Sequence, residues 1–195
     1  VGASRHLRIL FVCTGNMCRS PMAEGLARAF IDREYPEMRG RFSFSSAGIA
    51  AVDGNGATPE AVKVMMEKGI DIGGHRARSV TRGMVAASDL VLTMEEMQRL
   101  EVASLAGRGE TPMYLFLKLG EAARKALAAR DSWQDPADGL SELLRIAERE
   151  ERTGLTMKRR PRYEVPDPVG MPIEEYRRVV AVMEGPIEEI LRVLA

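Results

Sequence analysis

The chain has 195 residues, with 28 Lys plus Arg balanced by 28 Asp plus Glu. That length supports one sizeable core, so a single domain over residues 1–195 is expected. The charge balance excludes a global field that would favour nucleic acid or a membrane, and useful electrostatics must be local.

Leu7 to Val12 is almost wholly apolar, as expected of a strand covered on both faces. Ser20 and Pro21 read as an N-cap and first-turn pair, and Met22, Leu26, Ala29 and Phe30 then recur at helical spacing. Phe42 to Ser46 reads as a second strand ending in Ala47-Gly48. Thr58-Pro59 opens a helix with Ala61, Val62, Met65 and Met66 as its buried stripe, stopped by Gly69. Asp89 to Met94 is another buried strand, a charged helix follows from Glu95, and Met113 to Leu117 is a fourth strand. Strands alternating with helices predict an α/β fold. Its parallel sheet should bind ligands beyond the strands' carboxyl ends, where Cys13 sits.

Residues 121–163 differ in character. Glu121 to Arg130 and Leu140 to Ala147 predict two short helices, with Asp135-Pro136 and Asp138-Gly139 turning between them. The segment ends in Lys158-Arg159-Arg160-Pro161-Arg162 and reads as a helical insertion within the single domain. From Pro172 onward one amphipathic helix is predicted, with Ile173, Tyr176, Val180, Met183, Ile187, Ile190 and Leu194 facing a core. Pro186 should kink that helix or split it.

The chemistry concentrates in residues 13–20, Cys-Thr-Gly-Asn-Met-Cys-Arg-Ser, between the first strand and the first helix. A tight loop running into a helix N-terminus is an anion site. A nucleophilic cysteine reacts as its thiolate. The charge of Arg19, the positive end of the helix, converging backbone N–H groups and the Ser20 hydroxyl all favour negative charge on Cys13. Gly15 permits a backbone angle closed to other residues, and Asn16 tolerates the left-handed region while its amide ties the loop together. Arg19 suits phosphate better than lysine would, because its planar fork makes two parallel hydrogen bonds to oxygens that carry charge in the transition state. The nucleotide-binding pattern GxxxxGK followed by Ser or Thr is absent, so phosphoryl transfer through a thiol is the better reading. A departing leaving group needs a proton. Asp167, restrained between Pro166 and Pro168, is the best candidate donor.

Cys13 and Cys18 are the only cysteines and His6 and His75 the only histidines, so neither a disulfide framework nor a zinc site is expected. No metal or other cofactor is called for. Free thiols, the lack of a bilayer-length apolar run and the lack of an apolar signal stretch in residues 1–8 point to a cytoplasmic protein with no membrane partner.

Val12 to Glu24, Val-Cys-Thr-Gly-Asn-Met-Cys-Arg-Ser-Pro-Met-Ala-Glu, resembles the signature of the low-molecular-weight protein-tyrosine phosphatases and their protein-arginine phosphatase relatives. The resemblance continues through Ser46-Ala47-Gly48, Thr58-Pro59, His75-Arg76-Ala77-Arg78, Asp89 to Met94, Asp167-Pro168 and the last helix. It implies a three-layer αβα architecture of flavodoxin-like type around a four-stranded parallel sheet. It also implies hydrolysis of a phosphorylated protein or small aryl phosphate in two steps, without a cofactor. Cys13 would attack phosphorus to form a phosphocysteine while Asp167 protonates the leaving group, and water activated by Asp167 would then release phosphate. Arg19 and the loop residues Thr14, Gly15, Asn16, Met17, Cys18 and Ser20 would hold the phosphoryl group. Ser20 would steady the thiolate, and Asn16, Ser46 and His75 would keep the loop in shape. Cys18 corresponds to the family's second loop cysteine, which pairs reversibly with the nucleophile under oxidation.

Two positions bear on the substrate. Val169-Gly170 stands where tyrosine-specific members carry aromatic residues, closer to the Asp-Pro-Phe-Gly of arginine phosphatases. Met17 is larger and more apolar than the threonine those relatives favour. Phosphotyrosine is the favoured substrate class and phosphoarginine the alternative. Related arsenate reductases need further cysteines, and none follows Cys18, which leaves only a reductase fed by an external thiol. A non-catalytic phosphate-binding module is disfavoured by the intact Asp167. Lys158, Arg159, Arg160 and Arg162 are expected near the mouth of the site, where they would attract acidic substrates.

Overall fold

A computed structural model of the chain describes residues 6–107, 111–128, 136–153 and 163–195. Four parallel strands lie side by side in the order β2-β1-β3-β4: β1 Leu7–Cys13, β2 Phe42–Gly48, β3 Leu90–Thr93 and β4 Met113–Leu115. Around them run α1 Arg19–Glu34, α2 Pro59–Glu67, α3 Arg82–Ala86, α4 Glu96–Ala106, α5 Phe116–Ala128, α6 Pro136–Thr153 and α7 Ile173–Leu194. The expected parallel α/β architecture is what forms.

β1 shows why there are three layers. Successive side chains of a strand point to opposite faces. Ile9, Phe11 and Cys13 join one core with Met22 and Phe30 of α1, Phe116 of α5 and Met183 of α7. Leu10 and Val12 join a smaller core with Val85 of α3 and Val102 and Ala106 of α4. Burial on both faces is the reason the strand reads as an apolar run rather than an alternation.

Several local expectations shift. Ser20 does not cap α1: the helix begins at Arg19 and Cys18 occupies the N-cap position, which frees the Ser20 hydroxyl for the loop. In α2, capped by Thr58, Val64 is buried with Ala61 and Met65 while Met66 is 52% exposed, because the core-facing stripe follows i, i+3, i+4 from Ala61. α5 starts at Phe116, directly from β4, rather than at Glu121. It belongs to the core: Phe116, Leu119, Ala122, Ala123 and Ala126 are buried. Asp138 and Gly139 lie in the first turn of α6 rather than in a connecting turn. A Cβ on Gly139 would sit 2.1 Å from the Val193 carbonyl oxygen, so glycine there lets α6 approach α7. Pro186 does not split α7, which runs from Ile173 to Leu194. Its ring packs on Gly120 of α5, where a Cβ would lie 2.6 Å from Pro186 Cβ.

The basic run Lys158, Arg159, Arg160 and Arg162 lies outside the described residues. No helix among the described residues is long and apolar enough to cross a membrane.

Candidate active site

β1 carries Cys13 to the carboxyl end of the sheet, and the chain turns once before α1 begins at Arg19. The Cys13 residue is only 2% exposed. Its Sγ lies 3.0 Å from Ser20 Oγ and accepts the Asn16 backbone N–H at 3.3 Å. Asn16 holds φ at 53°, the left-handed conformation its side chain tolerates. The positive angle therefore falls on Asn16 and not on Gly15, where a Cβ would meet no heavy atom within 4 Å among the described residues.

Asn16 is the cross-brace of the loop. Its Nδ2 donates to Ser20 Oγ at 2.9 Å and its Oδ1 accepts the Arg78 backbone N–H at 3.0 Å. Its carbonyl receives a hydrogen bond from His75 Nε2 at 2.7 Å, which puts the proton on that nitrogen because a carbonyl can only accept. Ser46 stands one step further out: its hydroxyl donates to Glu24 at 2.7 Å, and its carbonyl accepts from Arg78 Nε at 2.9 Å. Arg78 thus serves both Asn16 and Ser46, a role that nothing but its place two residues beyond Arg76 in the His75 segment could have signalled. Gly48 backs the loop so closely that a Cβ would lie 2.5 Å from the Thr14 carbonyl oxygen.

Arg19 is 1% exposed and both terminal nitrogens of its guanidinium are engaged across the site. Nη1 pairs with Glu95 and donates to the Val165 carbonyl at 3.0 Å. Nη2 donates to Asp167 Oδ2 at 2.6 Å and to Thr14 Oγ1 at 3.4 Å. Asp167 reaches this point because the chain before it is pinned: the buried Val165 donates its N–H to the Met94 carbonyl at 2.9 Å. After it, the Val169 N–H donates to Asp167 Oδ1 at 3.2 Å and Gly170 takes φ of 75°. The structure therefore brings Cys13, Arg19 and Asp167 together. Glu95 and Gln98, at the start of α4, were not foreseen; both reach the Arg19 side of the loop.

The second thiol differs from the first. Cys18 Sγ lies 3.3 Å from Thr58 Oγ1 and donates to Tyr176 OH at 3.8 Å. Burial pushes the Cys18 thiol up, with the hydrogen bonds to Thr58 and Tyr176 opposing it in part. Burial likewise pushes the Tyr176 phenol up to about 12. Cys18 is thus held protonated. Met17 lies at the rim, its sulfur 3.8 Å from Asn55 Nδ2, and Val169 is 57% exposed.

The pattern of the family described as low molecular weight phosphotyrosine protein phosphatase matches residues 8–155. The probable low molecular weight protein-tyrosine-phosphatase EpsP of Ralstonia nicotianae is 46% identical over 96 residues, a segment spanning 49% of this chain and 61% of that protein. The protein-arginine-phosphatase of Bacillus subtilis is 34% identical over 142 residues, covering 70% of this chain and 91% of its own. Among solved structures, the low molecular weight protein tyrosine phosphatase of T. tengcongensis superposes with a TM-score of 0.65 at 29% identity, covering 95% of this chain and 98% of the other. The chain belongs to the low molecular weight phosphotyrosine protein phosphatase family.

Proposed function

We propose that the chain is a cysteine-dependent phosphatase acting on phosphorylated protein residues, with phosphotyrosine as the favoured class. The observation that carries this is the single constellation of Cys13, Arg19 and Asp167, with Ser20 Oγ 3.0 Å from the sulfur and Arg19 Nη2 2.6 Å from Asp167. Cys13 attacks phosphorus from the end of β1, and the leaving-group oxygen takes a proton from Asp167. Arg19 and the N-terminus of α1 carry the charge that builds on the equatorial oxygens. Water then attacks the phosphocysteine, its proton passing to Asp167 as the S–P bond breaks, which returns the Cys13 thiolate and releases phosphate. His75 and Asn16 hold the loop in the shape this needs, with Ser46 supporting it from further out. Two free, buried cysteines suit a reducing compartment, in keeping with a cytoplasmic location.

Turnover of p-nitrophenyl phosphate by the wild type tests the reading, with the phosphocysteine trapped by acid quench. Cys13→Ser should lose about a thousandfold or more in kcat. Equal turnover by that variant would overturn it.

Phosphoarginine is the second reading, favoured by Val169. Directly after Asp167-Pro168 stands a small aliphatic side chain, 57% exposed, with no ring to flank a phenyl group. Met17 argues the other way. Rates on matched phosphotyrosine and phosphoarginine peptides, repeated with Met17→Thr, decide between them.

A further inference from the structure

Gln98 is 1% exposed, in the first turn of α4, and its side-chain amide works in two directions. Its Oε1 accepts the backbone N–H of Glu95 at 3.1 Å, a donor that the helix start leaves without a helical partner, and that of Met94 at 3.0 Å, which also reaches the Val12 carbonyl at 3.1 Å. Its Nε2 donates to Thr14 Oγ1 at 3.1 Å and to Glu95 Oε1 at 3.1 Å. Those two acceptors are also the groups between which the Arg19 guanidinium is held: Glu95 on Nη1, and the Thr14 hydroxyl 3.4 Å from Nη2.

This divides the fork of Arg19. Nη1 is fixed by Glu95 and by the backbone carbonyl of Val165. Nη2 faces Thr14 and Asp167, and so the loop that begins on Cys13. A rigid planar fork anchored along one side presents the other.

We propose that Gln98 is a positioning residue for phosphoryl transfer, holding Thr14 and Glu95 so that Arg19 offers its Nη2 side to the phosphoryl group. The proposal rests on the phosphatase reading above and names no new covalent step.

A helix cap alone would explain half of these contacts, and Gln98→Glu separates the two roles. Glutamate accepts both N–H groups as in a capping box, but its carboxylate cannot donate to Thr14 or Glu95. Ionised, it also sets a second buried carboxylate against Glu95, so the melting temperature should fall at neutral pH and recover as the pH falls. The Kd for orthophosphate, read by calorimetry, should rise on the order of tenfold, with kcat on p-nitrophenyl phosphate falling by on the order of tenfold or more. The deficit should narrow as the pH falls, because a protonated carboxyl regains one donor. Gln98→Leu, which loses both roles, should lower the melting temperature as well.

Thr14→Val gives a second arm that leaves the cap intact. It should weaken orthophosphate severalfold, and the double variant with Gln98→Glu should be no worse than Gln98→Glu alone. Wild-type Kd and kcat in Gln98→Glu, in constant ratio across pH, would reduce Gln98 to a cap and overturn the proposal; should that variant not fold, wild-type Kd in Thr14→Val does the same. Orthophosphate binding needs no turnover. A wild type that binds phosphate but hydrolyses no ester therefore refutes the phosphatase reading, while the Kd values still decide the role of Gln98.

Discussion

Asp167 Oδ2 accepts a hydrogen bond from Arg19 Nη2 at 2.6 Å, so the candidate acid and the candidate phosphate ligand face each other across the site. On the proposed reading, a phosphoryl group seated over Cys13 would draw on the same Nη2 and compete with Asp167 for it.

Asp167→Asn should therefore separate binding from proton transfer. On phenyl phosphate kcat should fall by about a hundredfold to a thousandfold, and by less on p-nitrophenyl phosphate, whose leaving group needs little help. Orthophosphate should bind no more weakly, since a competing charge has gone. Steady-state rates on the two esters, with product inhibition, measure both effects; an equal loss on both esters would exclude Asp167 as the acid.

Ser20→Ala removes the hydroxyl 3.0 Å from the sulfur and strands the buried Asn16 amide that donates to it at 2.9 Å. Leaving that donor unpaired should cost about 1–3 kcal/mol of stability. Activity should drop as the loop loses its brace. Denaturant unfolding and kcat together check this; loss of activity without loss of stability would mean that Asn16 finds another partner.

Gly48→Ala should be more damaging than an exposed substitution of the same size. The added Cβ would meet the Thr14 carbonyl oxygen at 2.5 Å and the Asn16 nitrogen at 2.9 Å, both backbone atoms of the loop. Overpacking there should cost about 1–3 kcal/mol and weaken orthophosphate binding. Thermal melts with and without phosphate read both.

Alkaline stability should fall in a defined window. Burial raises the Cys18 thiol above its ordinary 9.0 and the Tyr176 phenol from 10.0 to about 12. Folded groups that hold their protons more tightly stabilise fully below the unfolded values and lose that contribution as the pH climbs toward the folded ones. Denaturant midpoints should therefore drop between about pH 9 and 12, and Tyr176→Phe should flatten the part above pH 10.

Thr93 offers a change in the other direction. Its buried hydroxyl at the end of β3 has no hydrogen-bond partner among the described residues. Thr93→Val keeps the shape and removes that group, and should stabilise the fold by about 1 kcal/mol. An unchanged melting temperature would mean that the hydroxyl is satisfied in solution.

The parts legible in the sequence are those whose chemistry is local. The loop at residues 13–20 places the candidate nucleophile, the turn residue, the cation and the helix start within one tight turn, so spacing alone exposes it. Asp167 stands out as a candidate because two prolines frame it. Glu95 and Gln98 carry no such mark: they are ordinary polar residues at a helix start, and their partners Arg19 and Thr14 lie 76 and 84 residues away. That Pro186 would leave α7 unsplit was hidden for the same reason, since the glycine that receives its ring belongs to another helix.

Residue pattern by itself determined the parallel sheet, most of the helices and the position of the thiol at a strand's carboxyl end, though not α3 or the start of α5, because periodicity and turn chemistry act over a few neighbours. Only the tertiary structure decided that Ser20 turns its hydroxyl to the sulfur, that Cys18 is sealed against Thr58 and Tyr176, and which side of Arg19 faces the loop. Those depend on which distant elements pack together, and a hydrogen bond's direction is set by the partner that packing supplies.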